Sequence, residues 1–104
     1  MKSNQTQLEA KLFKGFADKS RLLILETISD GPKTVTEIVE ETKLSQPNTS
    51  AHLACLLDCG LVKNKKKRRE VFYQVSMKEI GVMLNTARKI LSKHSKEINK
   101  CTNY

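Results

Sequence analysis

The chain has 104 residues, with 19 Lys and Arg against 11 Asp and Glu, for a formal net charge of +8. That length holds one domain, residues 1–104, with a single modest core, near the size at which a second copy adds useful burial; a homodimer is expected. The positive balance favours a polyanionic partner such as nucleic acid, but charge alone does not name the partner, since basic proteins also bind acidic membranes or simply stay soluble.

The N-terminal stretch MKSNQTQLEAKLFKGF lacks the continuous apolar run of a signal peptide, and no segment nears the roughly eighteen apolar residues of a membrane span. The expectation is a cytoplasmic protein with no membrane partner. From Gln5 to Ala17, Leu8, Leu12, Phe13 and Phe16 recur at helical spacing, and Asp18 stands ready to cap the next segment. That segment, KSRLLILETIS, carries Leu22, Leu23, Ile24, Leu25 and Ile28 and is too apolar for a surface helix. Asp30, Gly31 and Pro32 break the chain.

Thr34 begins a short helix, TVTEIVEET, with Thr34 and Glu37 at capping-box spacing. A tight connection leads to a second short helix capped by the Ser45 hydroxyl, with Pro47 tolerated in its first turn. Two short helices joined this closely, over about 34–59, form a helix-turn-helix. After Gly60 the period changes, and Leu61, Val62, Val71, Tyr73 and Val75 alternate as in strands around a charged middle. This is a hairpin wing over about 61–76. Six of the seven residues from Lys63 to Arg69 are cationic, suited to phosphates or a minor groove beside a helix-turn-helix. A last helix from about Met77 to Ile98 sets Ile80, Leu84, Ala87, Leu91, His94 and Ile98 at steps of four and three, the seam of a helix packing along a partner. With the first helix it forms the expected dimer contact, and residues 99–104 form a polar tail. The fold class is mainly α with a small β-hairpin wing, a homodimeric winged helix-turn-helix.

The second helix of the pair begins with Ser45, Gln46, Asn48, Thr49, Ser50 and His52, side chains able to hydrogen-bond base edges or phosphates. Gln46, Thr49 and Ser50 are favoured as contacts to double-stranded DNA, followed by Asn48 and His52, with Lys65, Lys66, Lys67, Arg68 and Arg69 of the wing on the backbone. The runs DKSRLLIL and LSQPNTSAHLACLLDCGLV, followed by the wing, resemble the ArsR/SmtB family of winged-helix repressors. The family pattern L-S-x-x-x-x-S-x-H-L-x-x-L-x-x-x-G-L-V is met by Leu44, Ser45, Ser50, His52, Leu53, Leu56, Gly60, Leu61 and Val62. The resemblance spans about Leu8 to Ile98 and implies a dimeric repressor that binds operator DNA, in many members until a metal ion binds.

Three cysteines without a secretory signal argue against a disulfide framework and leave metal binding, redox chemistry or packing. At about 100° per residue, Cys55 and Cys59 lie about 200° and 240° from Leu53, away from the apolar stripe of Leu53, Leu56 and Leu57. A disulfide between them would be strained, because positions i and i+4 hold their Cβ atoms about 5–6 Å apart where a bridge wants about 3.5–4.5 Å. A soft metal suits that gap. Cys101, in the tail, is the remaining thiol, and a tail can reach over the partner copy in a dimer.

This arrangement resembles the CmtR-type cadmium- and lead-sensing branch of the family, which implies a three-sulfur site of Cys55, Cys59 and Cys101 with the tail supplied by either subunit. The C-V-C pair of the arsenic and cadmium type falls here on TEIVEET, which has no sulfur. The zinc pattern on the last helix survives only as His94 and Glu97, with Gly81 and Met83 in its first half, so His94 reads as a seam or surface residue. The inducer is thus Cd(II) or Pb(II), with Zn(II) fitting less well because it prefers four ligands. Rival readings are a redox- or persulfide-sensing repressor, an arsenite-responsive repressor, and a metal buffer whose basic surface is incidental. Two distant histidines and the absence of a nucleophile–base pattern or a glycine-rich phosphate loop speak against an enzyme.

Overall fold

The computed structural model describes residues 2–102. Helix α1 (Lys2–Phe16) is followed by α2 (Lys19–Ile28), α3 (Val35–Thr42) and α4 (Gln46–Asp58), then by strands β1 (Val62–Lys67) and β2 (Glu70–Val75) and a long α5 (Lys78–Lys100). The order is that of a winged helix-turn-helix.

Each junction has a local chemical cause. The Asp18 carboxylate accepts the Arg21 backbone N–H at 3.0 Å and starts α2. The Arg21 guanidinium turns back and donates to the carbonyl of Gly15 at 2.8 Å, tying off α1. At α3 the capping box is complete: the Thr34 hydroxyl accepts the Glu37 N–H at 3.2 Å, and the Thr34 N–H donates to the Glu37 carboxylate at 2.9 Å. Lys43 ends α3 in the left-handed region, at φ 64. Two residues later the Ser45 hydroxyl accepts the Asn48 N–H at 3.1 Å and opens α4. Gly60, at φ 79, follows the α4 cap and turns the chain into β1.

Ile24, Leu25 and Ile28 of α2 are fully buried and form the centre of the core, with Ile38 of α3, Leu53 and Leu56 of α4, Val62 of β1 and Ile80 and Leu84 of α5 packed around them. The wing is a two-stranded antiparallel hairpin whose register runs from Val62 opposite Val75 to Lys67 opposite Glu70. Arg68 and Arg69 are left as a two-residue turn. The Lys33 and Tyr73 backbones exchange two hydrogen bonds, of 3.0 and 2.8 Å, so the loop between α2 and α3 holds the base of the wing.

The expected seam on the last helix divides into two parts. Ile80 and Leu84 are buried in the core of their own protomer, whereas Ala87 and Leu91 are exposed and His94 interrupts the helix with φ −129 and ψ 17. The cause is the reach of the core, whose buried cluster takes in Ile80 and Leu84 of the first two turns of α5 and no later residue of that helix. On α1, Leu8, Leu12 and Phe13 are exposed as well. The radius of gyration, 15.0 Å, exceeds the roughly 13 Å of a compact chain of this length, as two projecting helices require. The tail is shorter than the sequence suggests, because Asn99 and Lys100 close α5 and Cys101 is its cap. Residues 1, 103 and 104 of the expected domain lie outside the described residues.

Candidate nucleic-acid interface and thiol pair

Helix α4 buries Thr49, Leu53 and Leu56 and turns its opposite side outward. Ser45, Gln46, Asn48 and Ser50 are exposed at its start, where backbone N–H groups and short polar side chains meet. The Ser45 oxygen already accepts the Asn48 N–H, and a hydroxyl in that role keeps its own proton to donate. Thr49 corrects the reading from sequence. It is 0 % exposed, and its hydroxyl has no hydrogen-bond partner among the described residues. It is buried on the same face as Leu53 and Leu56 because four residues make just over one turn. His52 lies on the flank between core and surface, its Nε2 4.0 Å from the Asp18 carboxylate.

The Asp18 carboxyl is held below its ordinary value, first by the hydrogen bond from the Arg21 backbone N–H, then by the nearby charges of Arg21 and His52, with partial burial opposing them. This joins the start of α2 to the flank of the reading helix. The sequence passed over Ala51 and Ala54, both exposed on α4. Their signal was the helical wheel already applied to the cysteines, which sets both outside the stripe of Leu53 and Leu56.

On the wing, Lys65, Lys66, Lys67, Arg68 and Arg69 are all exposed, as is Lys63. Strand alternation and the register set Lys63 and Lys65 on the face of Gln74 and Phe72, and Asn64 and Lys66 on the face of Tyr73 and Val71. Among the described residues the ion pairs involve Lys33, Arg88 and the two histidines and none of the wing cations. That leaves the wing charges available to a polyanion.

Cys55, Cys59 and Cys101 are free thiols and all exposed. Cys59 is the cap of α4, its N–H bonded to the Cys55 carbonyl at 3.0 Å, and it lines a groove against Leu8, Lys11 and Leu12 of α1 and Leu61. No group of three His, Cys, Asp or Glu residues gathers as a metal site among the described residues, so one protomer does not bring Cys101 to the α4 pair. His94 and Glu97 face each other at 3.9 Å, both largely exposed.

Tight helix pair, polar reading helix and cationic hairpin together define a winged helix-turn-helix regulator. Comparison with known proteins gives the family. The profile described as "Bacterial regulatory protein, arsR family" matches residues 18–64. A protein of Streptomyces lividans named "Probable mercury resistance operon repressor" is 33% identical over 93 residues, covering 89% of this chain and 74% of that protein. The structure titled "Reduced HlyU from Vibrio cholerae N16961" superposes with a TM-score of 0.76 at 32% identity, covering 86% of this chain and 95% of that one. A homodimeric winged helix-turn-helix DNA-binding domain from Mycobacterium bovis, at 22% identity, shares the fold with a TM-score of 0.80 over 92% of this chain and 89% of that one. The chain belongs to the arsR family of bacterial regulatory proteins.

Proposed function

We propose that this chain is a dimeric transcriptional repressor that binds a two-fold DNA operator through α4 and the wing and is released when a soft cation, Cd(II) or Pb(II), is captured by Cys55, Cys59 and Cys101 of the partner subunit. The observation that carries the reading is the pair of exposed thiols one turn apart on the helix that would read the groove. Thiolates are soft donors, and two of them on adjacent turns can grip a large soft ion without bending the helix into a disulfide. The donor set fits such an ion, and a second copy is the proposed source of the third donor, since among the described residues one protomer does not gather three. The uncovered apolar residues of α1 and of the second half of α5 support that second copy, and the mercury-resistance relative supports a thiophilic inducer.

Holding the tail across α4 would obstruct the groove-reading surface, and each 1.4 kcal/mol of coupling between the sites weakens DNA binding about tenfold. A titration of the purified protein with Cd(II), following thiolate-to-metal absorption and release of a DNA duplex selected from random sequence, tests this. Release should track the absorption and be lost or weakened in Cys101→Ser. Unchanged DNA affinity with the metal bound refutes the switch. The exposure of all three thiols also favours a second reading, a thiol-redox repressor in which Cys101 pairs with one of the α4 cysteines; release by peroxide together with an interchain disulfide on mass spectrometry would select it.

A further inference from the structure

The two α4 thiols do not occupy equivalent surroundings. At 100° per residue, Asn48, Ala51, Cys55 and, at the helix end, Asp58 all lie within about 40° of the direction opposite Leu53, and all four are exposed. They form one line along the side of α4 farthest from the core. Asn48 begins that line among the polar residues at the helix start, and Cys55 continues it about 10 Å further along the axis, at about 1.5 Å per residue. Cys59 departs from it. It sits at the helix cap, where it lines the groove shared with Leu8, Lys11, Leu12 and Leu61, so α1 occupies part of its surroundings.

A helix docked in a major groove presents the side opposite its own core to the base edges. We infer that Cys55 is itself a DNA-contacting residue of α4, that Cys59 is not, and that any group attached to the Cys55 sulfur competes with DNA for the same space. This rests on the proposed reading of α4 as the DNA-binding helix, and it makes release a matter of occupancy at Cys55, with no reshaping of a distant element required. The Cys55 side chain is short enough to let α4 approach the groove floor beside Ala51, and an adduct of several heavy atoms is not.

The experiment needs no metal. Two variants, Cys59→Ser with Cys101→Ser and Cys55→Ser with Cys101→Ser, each leave one thiol. Each is treated with iodoacetamide, in which the thiolate sulfur displaces iodide, one S–C bond forms, and iodide and the thiol proton pass to the buffer. Affinity for a duplex selected from random DNA by the wild-type protein is then compared with the same variant's own unmodified form. The adduct at Cys55 should lower affinity at least about tenfold and the adduct at Cys59 less than about threefold, each judged against the usual conversion of affinity to free energy. In a parallel measurement on the wild-type chain, bound duplex should slow labelling of Cys55 and leave Cys59 unaffected, as read by mass spectrometry; this arm stands even if a variant folds poorly.

Equal loss from both adducts, no loss from the Cys55 adduct, or equal labelling of the two thiols on DNA overturns the inference while leaving the proposed repressor intact. If the protein enriches no duplex at all, the reading of α4 as a DNA-binding helix falls and takes this inference with it.

Discussion

Asp18 and His52 stand 4.0 Å apart across the junction of α2 and α4, and the same carboxylate caps α2 through the Arg21 N–H. One side chain therefore fixes where α2 begins and faces the flank of the reading helix. Its folded carboxyl titrates below the ordinary aspartate range, so its contribution is present in full above that range and is lost as the pH falls through the lowered value. Asp18→Ala is expected to lower the melting temperature at neutral pH, with a deficit that shrinks in acid. Asp18→Asn keeps a capping oxygen and should stay closer to wild type at neutral pH. Thermal melts of the three proteins at a series of pH values check this, and a deficit that grows in acid would contradict it.

Thr49→Val replaces a fully buried hydroxyl without a partner by a methyl group of similar size. An unpaired buried donor costs about 1–3 kcal/mol, so the substitution is expected to preserve or raise stability, by up to about 1 kcal/mol after the loss of any packing fit. DNA affinity should stay within about twofold, since the side chain faces Leu53 and Leu56 and not the groove. Chemical denaturation and a binding isotherm on the same preparation settle both parts. A large loss of affinity with the fold intact would return Thr49 to the DNA surface.

Two turns hold a residue with a side chain where glycine is favoured, Lys43 at φ 64 between α3 and α4 and Arg68 at φ 61 at the wing tip. Relieving each should gain about 0.5–1 kcal/mol of stability, the ordinary advantage of glycine in the left-handed region. The two glycine variants should then diverge in function. Lys43→Gly leaves the wing cations in place, whereas Arg68→Gly removes one charge and should weaken DNA binding while lowering the salt dependence by about one unit of slope. A wing variant that gains stability and keeps the full salt slope would mean that the Arg68 guanidinium does not reach phosphate.

Most of the fold was legible because its signals are local. The capping box of Thr34 and Glu37, the Ser45 cap and the change of period after Gly60 each act within a few residues, and all three appear in the structure. Thr49 was misassigned because composition at a helix start does not distinguish a hydroxyl that caps or contacts from one whose methyl fills a core; the wheel that placed Cys55 outward would have placed Thr49 inward. The seam of α5 was read as continuous because a four-and-three pattern is the same whether the partner is the helix's own core, as at Ile80 and Leu84, or another chain. The bond between Lys33 and Tyr73 has no local signal, since it joins backbone groups forty residues apart in sequence. A third thiol beside the α4 pair has no local signal either, and among the described residues one protomer does not gather three metal-ligating groups.

The uncovered residues make the oligomeric state testable. Leu12 and Phe13 of α1 and Ile90 and Leu91 of α5 are between 37% and 59% exposed, on the two helices that project from the core. A carboxylate placed in an apolar contact must be desolvated without a partner, so, for the proposed dimer, Phe13→Glu and Leu91→Glu should each give a monomer at micromolar concentration in sedimentation equilibrium where the unaltered chain gives a dimer. Loss of the pair should weaken binding to a two-fold duplex by more than about tenfold, because the two half-sites are then bound as independent events. Lys66→Glu supplies the contrast: on the exposed wing, it should weaken DNA binding through charge while the dimer persists. A Phe13→Glu protein that remains dimeric and keeps its DNA affinity would remove α1 from the subunit contact, and with it the route by which Cys101 of the partner subunit could approach α4.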